Sequence, residues 1–160
     1  MSSGSSRRYS TKPVDILLVE DNPGDVRLVR EAFAMTETSS KTVLHVVNSG
    51  DDAVKFLRQV AEYATVPFPD LVLMDLNLPG RDGCDVLETI RDDPQLRQLP
   101  VIMVTGSGAR EDVVRCYNAR ANAYLTKPTD SDEFASIVEA VERFWLEQVR
   151  LPDHRSDGPP

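Results

Sequence analysis

Five short apolar runs recur along the chain, at residues 14–19, 42–47, 71–74, 101–104 and 123–125. They are almost continuously apolar rather than alternating, as expected of strands in a parallel sheet covered on both faces. After each run, apolar residues return at helical spacing. Asn22 is placed to cap the first helix, with Pro23 at its first position and Asp25 near the orphan amides, before Val26, Val29, Ala32 and Phe33. The second helix is expected over 51–63 (Ala53, Val54, Phe56, Leu57, Val60) and the third over 84–91 (Val86, Leu87, Ile90), stopped by Pro94. The fourth covers 110–118 (Val113, Val114, Tyr117), and the fifth and longest 131–149, with Phe134, Ile137, Val138, Val141, Phe144 and Trp145.

Five β–α units joined by right-handed crossovers make an α/β, doubly wound, five-stranded parallel sheet. The expected domain spans 13–149. Residues 1–12 and 150–160, rich in small, polar and breaker residues without an apolar period, are read as flexible tails.

A length of 160 residues with 41% hydrophobic composition suits one globular domain that needs no staples. No apolar run is long enough to span a membrane, and Met1 to Lys12 lacks the apolar region of a secretory signal, so a cytoplasmic address is expected. Cys84 and Cys116 are far apart with no paired spacing, and are read as reduced thiols rather than a disulfide or zinc pair. A net charge of −8 repels phosphate backbones and argues against a nucleic-acid partner. His45, in a strand, and His154, in a tail, are assigned no role.

In an open α/β sheet, sites lie beyond the carboxyl ends of the strands. The polar residues cluster there. Strand one runs into Glu20 and Asp21, strand three into Asp75 and Asn77, strand four into Thr105, and strand five into Thr126, Lys127 and Pro128. Each has an ordinary reading when taken alone: acids before a helix favour its dipole, and a lysine before a proline is a common surface charge. Together at one rim they conflict, because converging carboxylates repel one another. A divalent cation resolves the conflict, and a small set of oxygen ligands suits Mg²⁺. A phosphoryl group on Asp75 would then meet the metal, the Lys127 ammonium and the Thr105 hydroxyl, an arrangement suited to phosphoryl transfer.

At these residues the chain resembles the CheY-like receiver domain of two-component response regulators, a flavodoxin-like fold with strand order 2-1-3-4-5, over roughly residues 13–149. The resemblance rests on Leu18-Val19-Glu20-Asp21, Met74-Asp75-Leu76-Asn77-Leu78-Pro79, Asp82-Gly83, Val104-Thr105 and Leu125-Thr126-Lys127-Pro128. It implies that Asp75 accepts a phosphoryl group from a sensor histidine kinase. It also implies that Asp21, Asp75 and the Asn77 carbonyl bind Mg²⁺, with Glu20 acting mostly through water. Lys127 would contact the phosphoryl oxygens, Thr105 and Tyr124 would form the switch, Asn77 and Ser107 would tune dephosphorylation, and Pro128 would follow a cis bond. Glu20 to Asp25, Phe68-Pro69-Asp70 and Ala121 to Leu125 further resemble the small receivers that serve phytochrome-like kinases.

Two departures from the family pattern stand out. Arg120 replaces a common glycine, and strain of roughly 1 kcal/mol is expected if φ is positive there. Gly106 occupies a position where alanine or serine is usual. With only residues 151–160 beyond the fifth helix, output is expected through a protein surface on helix four, strand five and helix five, including homodimerisation. The alternative is a small phosphatase-like hydrolase on the same fold. Gly106-Ser107-Gly108 lacks the flanking glycines of a nucleophile elbow, and Asn77 stands where a strand-end-aspartate phosphatase needs a second acid. An inactive scaffold would lack the acceptor or the lysine, and both are present.

Overall fold

A computed structural model of the chain describes residues 14–35, 42–106 and 109–127, together with Ala135 and Glu139. The strands are β1 (Val14–Val19), β2 (Thr42–Val47), β3 (Leu71–Met74), β4 (Val101–Thr105) and β5 (Ala123–Thr126). The helices are α1 (Pro23–Met35), α2 (Gly50–Arg58), α3 (Gly83–Asp92) and α4 (Arg110–Asn118), with a 3₁₀ turn at Ala61–Tyr63. All the strand pairs are parallel, in the order β2-β1-β3-β4-β5.

Strand pleating divides the core into two layers. Ile16, Leu18, Leu71, Leu73, Ile102 and Val104 face Val29 and Ala32 of α1, with Ala135 packed against them. Leu17, Val19, Val72, Met74, Val101 and Met103 face the opposite layer, built from Phe56, Leu57, Val86, Leu87, Ile90 and Cys116 of α2, α3 and α4. The three central strands are therefore apolar on both faces, which explains why their runs do not alternate.

Local chemistry sets the helix ends. The Asn22 side chain accepts from the amides of Gly24 and Asp25 at 2.8 and 3.2 Å, as the cap requires. Ser49 caps α2, and Asp82 with Asp85 forms a reciprocal capping box on α3. The second helix is shorter than its apolar pattern suggests. It stops at Arg58 because Gln59 turns into the left-handed region at φ 56°, and Val60 leaves the helical path. Arg120 has φ 67°, so the condition for strain at this position after α4 is met.

The cysteines correct the reading of two separate thiols. Cys84, in the first turn of α3, and Cys116, near the end of α4, form a disulfide with Cα atoms 5.7 Å apart. Their separation of 32 residues hides the fact that α3 and α4 lie side by side on one sheet face. Arg115 reinforces the same junction by pairing with Asp82 and Asp85 at 2.7 and 2.8 Å.

The expected fifth helix, including Phe134, Phe144 and Trp145, lies outside the described residues apart from Ala135 and Glu139, as do both expected tails, Ser107 and Pro128.

Candidate functional site

Backbone bonds carry the ladder just past the strand ends and bring the rim residues level. The Glu20 amide donates to Val47 O at 3.0 Å, Asp75 to Val19 O at 3.0 Å, and Lys127 to Thr105 O at 2.8 Å. Glu20, Asp75 and Lys127 thereby leave β1, β3 and β5 at the same edge of the sheet. Gly83 is required beneath them. A side chain there would collide with the Asp75 carbonyl and crowd Cα of Leu76, so only glycine lets α3 start this close to the Asp75 loop.

Glu20, Asp21 and Asp75 can bring one carboxylate oxygen each within 4.8 Å of one another. Glu20 and Asp75 are buried, whereas Asp21 is open to solvent. Lys127 Nζ lies 2.8 Å from Glu20 Oε1, 3.3 Å from Asp75 Oδ2 and 2.6 Å from Asp25 Oδ2. Three N–H donors thus meet three carboxylates. Burial raises the Glu20 carboxyl to about 7, with the Asp75 charge adding to the effect against the opposing pull of Lys127 and the Asn22 amide. Burial by itself would lower the Lys127 ammonium, but its hydrogen bonds to Asp25 and Glu20 outweigh it and hold the group charged well above its ordinary range.

The donor set fits a hard divalent cation: oxygen only, anionic, and with one member open to water. Asn77 is exposed, and its amide approaches Asp75 Oδ1 at 3.4 Å. Thr105 is fully buried at the end of β4. Tyr124, opposite Met103 in the register, is half-buried against the α2–α4 layer of the core. The structure gathers Glu20, Asp21, Asp75 and Lys127 as the sequence suggested and sets Thr105 on the adjoining strand.

Asp25 was missed as a site residue. Its place in a first turn suits the helix amides, yet its carboxylate reaches across to Lys127, 102 positions away. The available signal was its place four residues after Asp21, within the first turn of α1 and on the same rim.

A response regulator receiver domain profile matches residues 16–139. The chain is 40% identical over 143 residues to the response regulator Rcp1 of Synechocystis sp., covering 89% of this chain and 96% of that protein. The crystal structure of the phosphorylated cyanobacterial phytochrome response regulator RcpA superposes with a TM-score of 0.80 at 39% identity, covering 89% of this chain and 100% of that one. The Mn²⁺-bound form of Rcp1 gives a TM-score of 0.80 at 40% identity, covering 88% and 100%. With the receiver strand order and the acidic rim already in place, the chain belongs to the response regulator receiver domain family, whose members are phosphoacceptor switches of two-component signalling.

Proposed function

We propose that Asp75 accepts a phosphoryl group from a phosphohistidine of a sensor histidine kinase, with Mg²⁺ at the acidic rim. The observation that carries this reading is the Lys127 ammonium set against Glu20 and Asp75 beside the cluster of Glu20, Asp21 and Asp75. A carboxylate oxygen of Asp75 bonds to phosphorus as the phosphorus–nitrogen bond to the kinase imidazole breaks. The bonding pair leaves on that nitrogen, which is then protonated. Asp21, Asp75 and the backbone carbonyl of Asn77 would hold the metal, with Glu20 acting mostly through water. When bound, the ion neutralises charge on the transferring oxygens. Lys127 contributes a charge-assisted hydrogen bond to the phosphoryl group.

Thr105 moves its hydroxyl toward the new phosphoryl oxygens, and Tyr124 turns inward to follow it. Asn77 and Ser107 shape water access and so the lifetime of the modified state, and Pro128 follows a cis bond. The changed surface comprises α4, β5 and the fifth helix of the sequence pattern. Val114 and Tyr117 of α4 are large exposed apolar residues suited to a protein partner or a second copy of the chain. In this reading the receiver occupies 13–149, the kinase is phytochrome-like as the description of RcpA suggests, and chemistry is limited to slow loss of its own phosphoryl group. No described helix is long and apolar enough to cross a membrane. The net charge of −8 does not favour nucleic acid.

Incubation with acetyl phosphate and Mg²⁺ followed by intact-mass measurement tests the reading. One added phosphoryl group is expected, absent without metal and absent in Asp75→Asn. Undiminished labelling of that variant would reject Asp75 as the acceptor.

A further inference from the structure

Lys127 has three carboxylate partners, and they are not equivalent. Glu20 and Asp75 belong to the group of oxygens that can close around a cation, whereas Asp25 does not. A metal that draws the oxygens of Glu20 and Asp75 toward itself competes with the ammonium for them. It does not compete for Asp25, which makes the shortest of the three contacts at 2.6 Å.

Asp25 is also well fixed. Its amide is held by the Asn22 side chain at 3.2 Å, and its carboxylate stands in the first turn of the 13-residue helix α1, where the dipole favours negative charge. Gly24 suits this corner, since a Cβ there would press on Asn22 Oδ1 at 3.2 Å. The side chain is only 26% exposed, so its contact with Lys127 is partly shielded from water and salt.

The geometry points to Asp25 as a positioning residue for phosphoryl transfer: it anchors the Lys127 ammonium through one N–H while the donor now facing Asp75 is handed to the incoming phosphoryl oxygen. This rests on Asp75 being the acceptor. Lys127 need not travel to meet the phosphoryl group. One hydrogen bond stays in place, another changes acceptor, and the long side chain keeps a single orientation throughout. Asp25 touches neither the reacting oxygen nor the cation group and acts through Lys127 alone.

The test compares wild type with Asp25→Asn and Asp25→Glu, each shown by thermal melting to be folded. Two readouts are used. In metal-free protein, acylation of Lys127 by an N-hydroxysuccinimide ester is followed by peptide mass spectrometry relative to Lys55. With Mg²⁺, the acetyl phosphate labelling rate is measured across donor concentrations. In Asp25→Asn, Lys127 should acylate several-fold faster than in wild type while Lys55 is unchanged. Maximal labelling should fall about five- to tenfold, the size expected when the acceptor of a charge-assisted hydrogen bond loses its charge but still accepts. Asp25→Glu should restore both readouts to within about twofold, since it keeps the charge. Wild-type behaviour of Asp25→Asn in both readouts, with wild type itself labelled on Asp75, would overturn the assignment of Asp25 alone. Failure of wild type to be labelled would instead overturn the reading of Asp75 on which it rests.

Discussion

Arg91 provides a test of how the rim is held in place. Its guanidinium lies in the interior, only 8% exposed, and donates to Arg120 O at 3.0 Å, Arg97 O at 2.9 Å, Leu99 O at 2.7 Å and Asn122 Oδ1 at 2.9 Å. Asn122 Oδ1 also accepts from the Val101 amide at 2.8 Å, so one side chain ties the end of α3 to the entries of both β4 and β5. Burial and the neighbouring Arg120 charge depress its proton affinity, and neutral oxygens supply all four of these bonds. Arg91→Leu keeps the apolar stem but leaves three carbonyls and an amide oxygen short of a donor. At roughly 1 kcal/mol for each lost bond, the destabilisation should be about 3–4 kcal/mol. At about 3 °C per kcal/mol for a domain of this size, Tm should fall by roughly 10 °C. Arg91→Lys, able to replace one or two of the bonds, should lose about half as much. Urea melts followed by far-UV circular dichroism give the free energies, and hydrogen exchange locates the effect. Amides of residues 121–126 should lose protection before those of β1. A loss below about 1 kcal/mol for Arg91→Leu would show that water replaces the guanidinium freely and would refute the reasoning.

Three further outcomes are expected. Glu20 has a folded pKa near 7 against an ordinary value of 4.5, so between those values the native state binds more protons than the unfolded one. Stability of the metal-free protein should therefore fall as pH rises through this window, and Glu20→Gln should flatten that part of the curve measured by thermal melts. Arg120→Gly should stabilise by about 0.5–1 kcal/mol, because glycine adopts the left-handed backbone that the arginine is forced into. Reduction of Cys84–Cys116 opens a loop spanning 32 residues and should remove roughly 3–4 kcal/mol on the chain-entropy account, seen as a lower urea midpoint with dithiothreitol; an unchanged midpoint would show that the pair does not cross-link in solution.

The alternation of strands and helices was legible because strands buried on both faces must be apolar throughout, while helices on a sheet need only one apolar face. The rim acids and Lys127 were legible for a related reason: each follows directly on such a strand, where the fold rule places a site. What escaped notice lies in long-range pairings of ordinary-looking residues. Asp25 in a first turn satisfies a local dipole argument and gives no local sign of reaching Lys127. Arg91 gives no local sign of its role, because no pattern in its own helix indicates that oxygens from distant loops surround it. Cys84 and Cys116 become neighbours only when α3 and α4 pack together. The end of α2 was misplaced because Val60 continues the apolar spacing although Gln59 has already left the helix, and Val60 is in fact exposed.

A crystal structure of the protein with Mg²⁺ and beryllofluoride tests the central claim most directly. The account predicts beryllofluoride bonded to a carboxylate oxygen of Asp75, with Lys127 Nζ in contact with a fluorine and the metal among Asp21, Asp75 and the Asn77 carbonyl. A beryllofluoride group on another residue, or an Asp75 that stays unmodified while metal fills the acidic cluster, would contradict it.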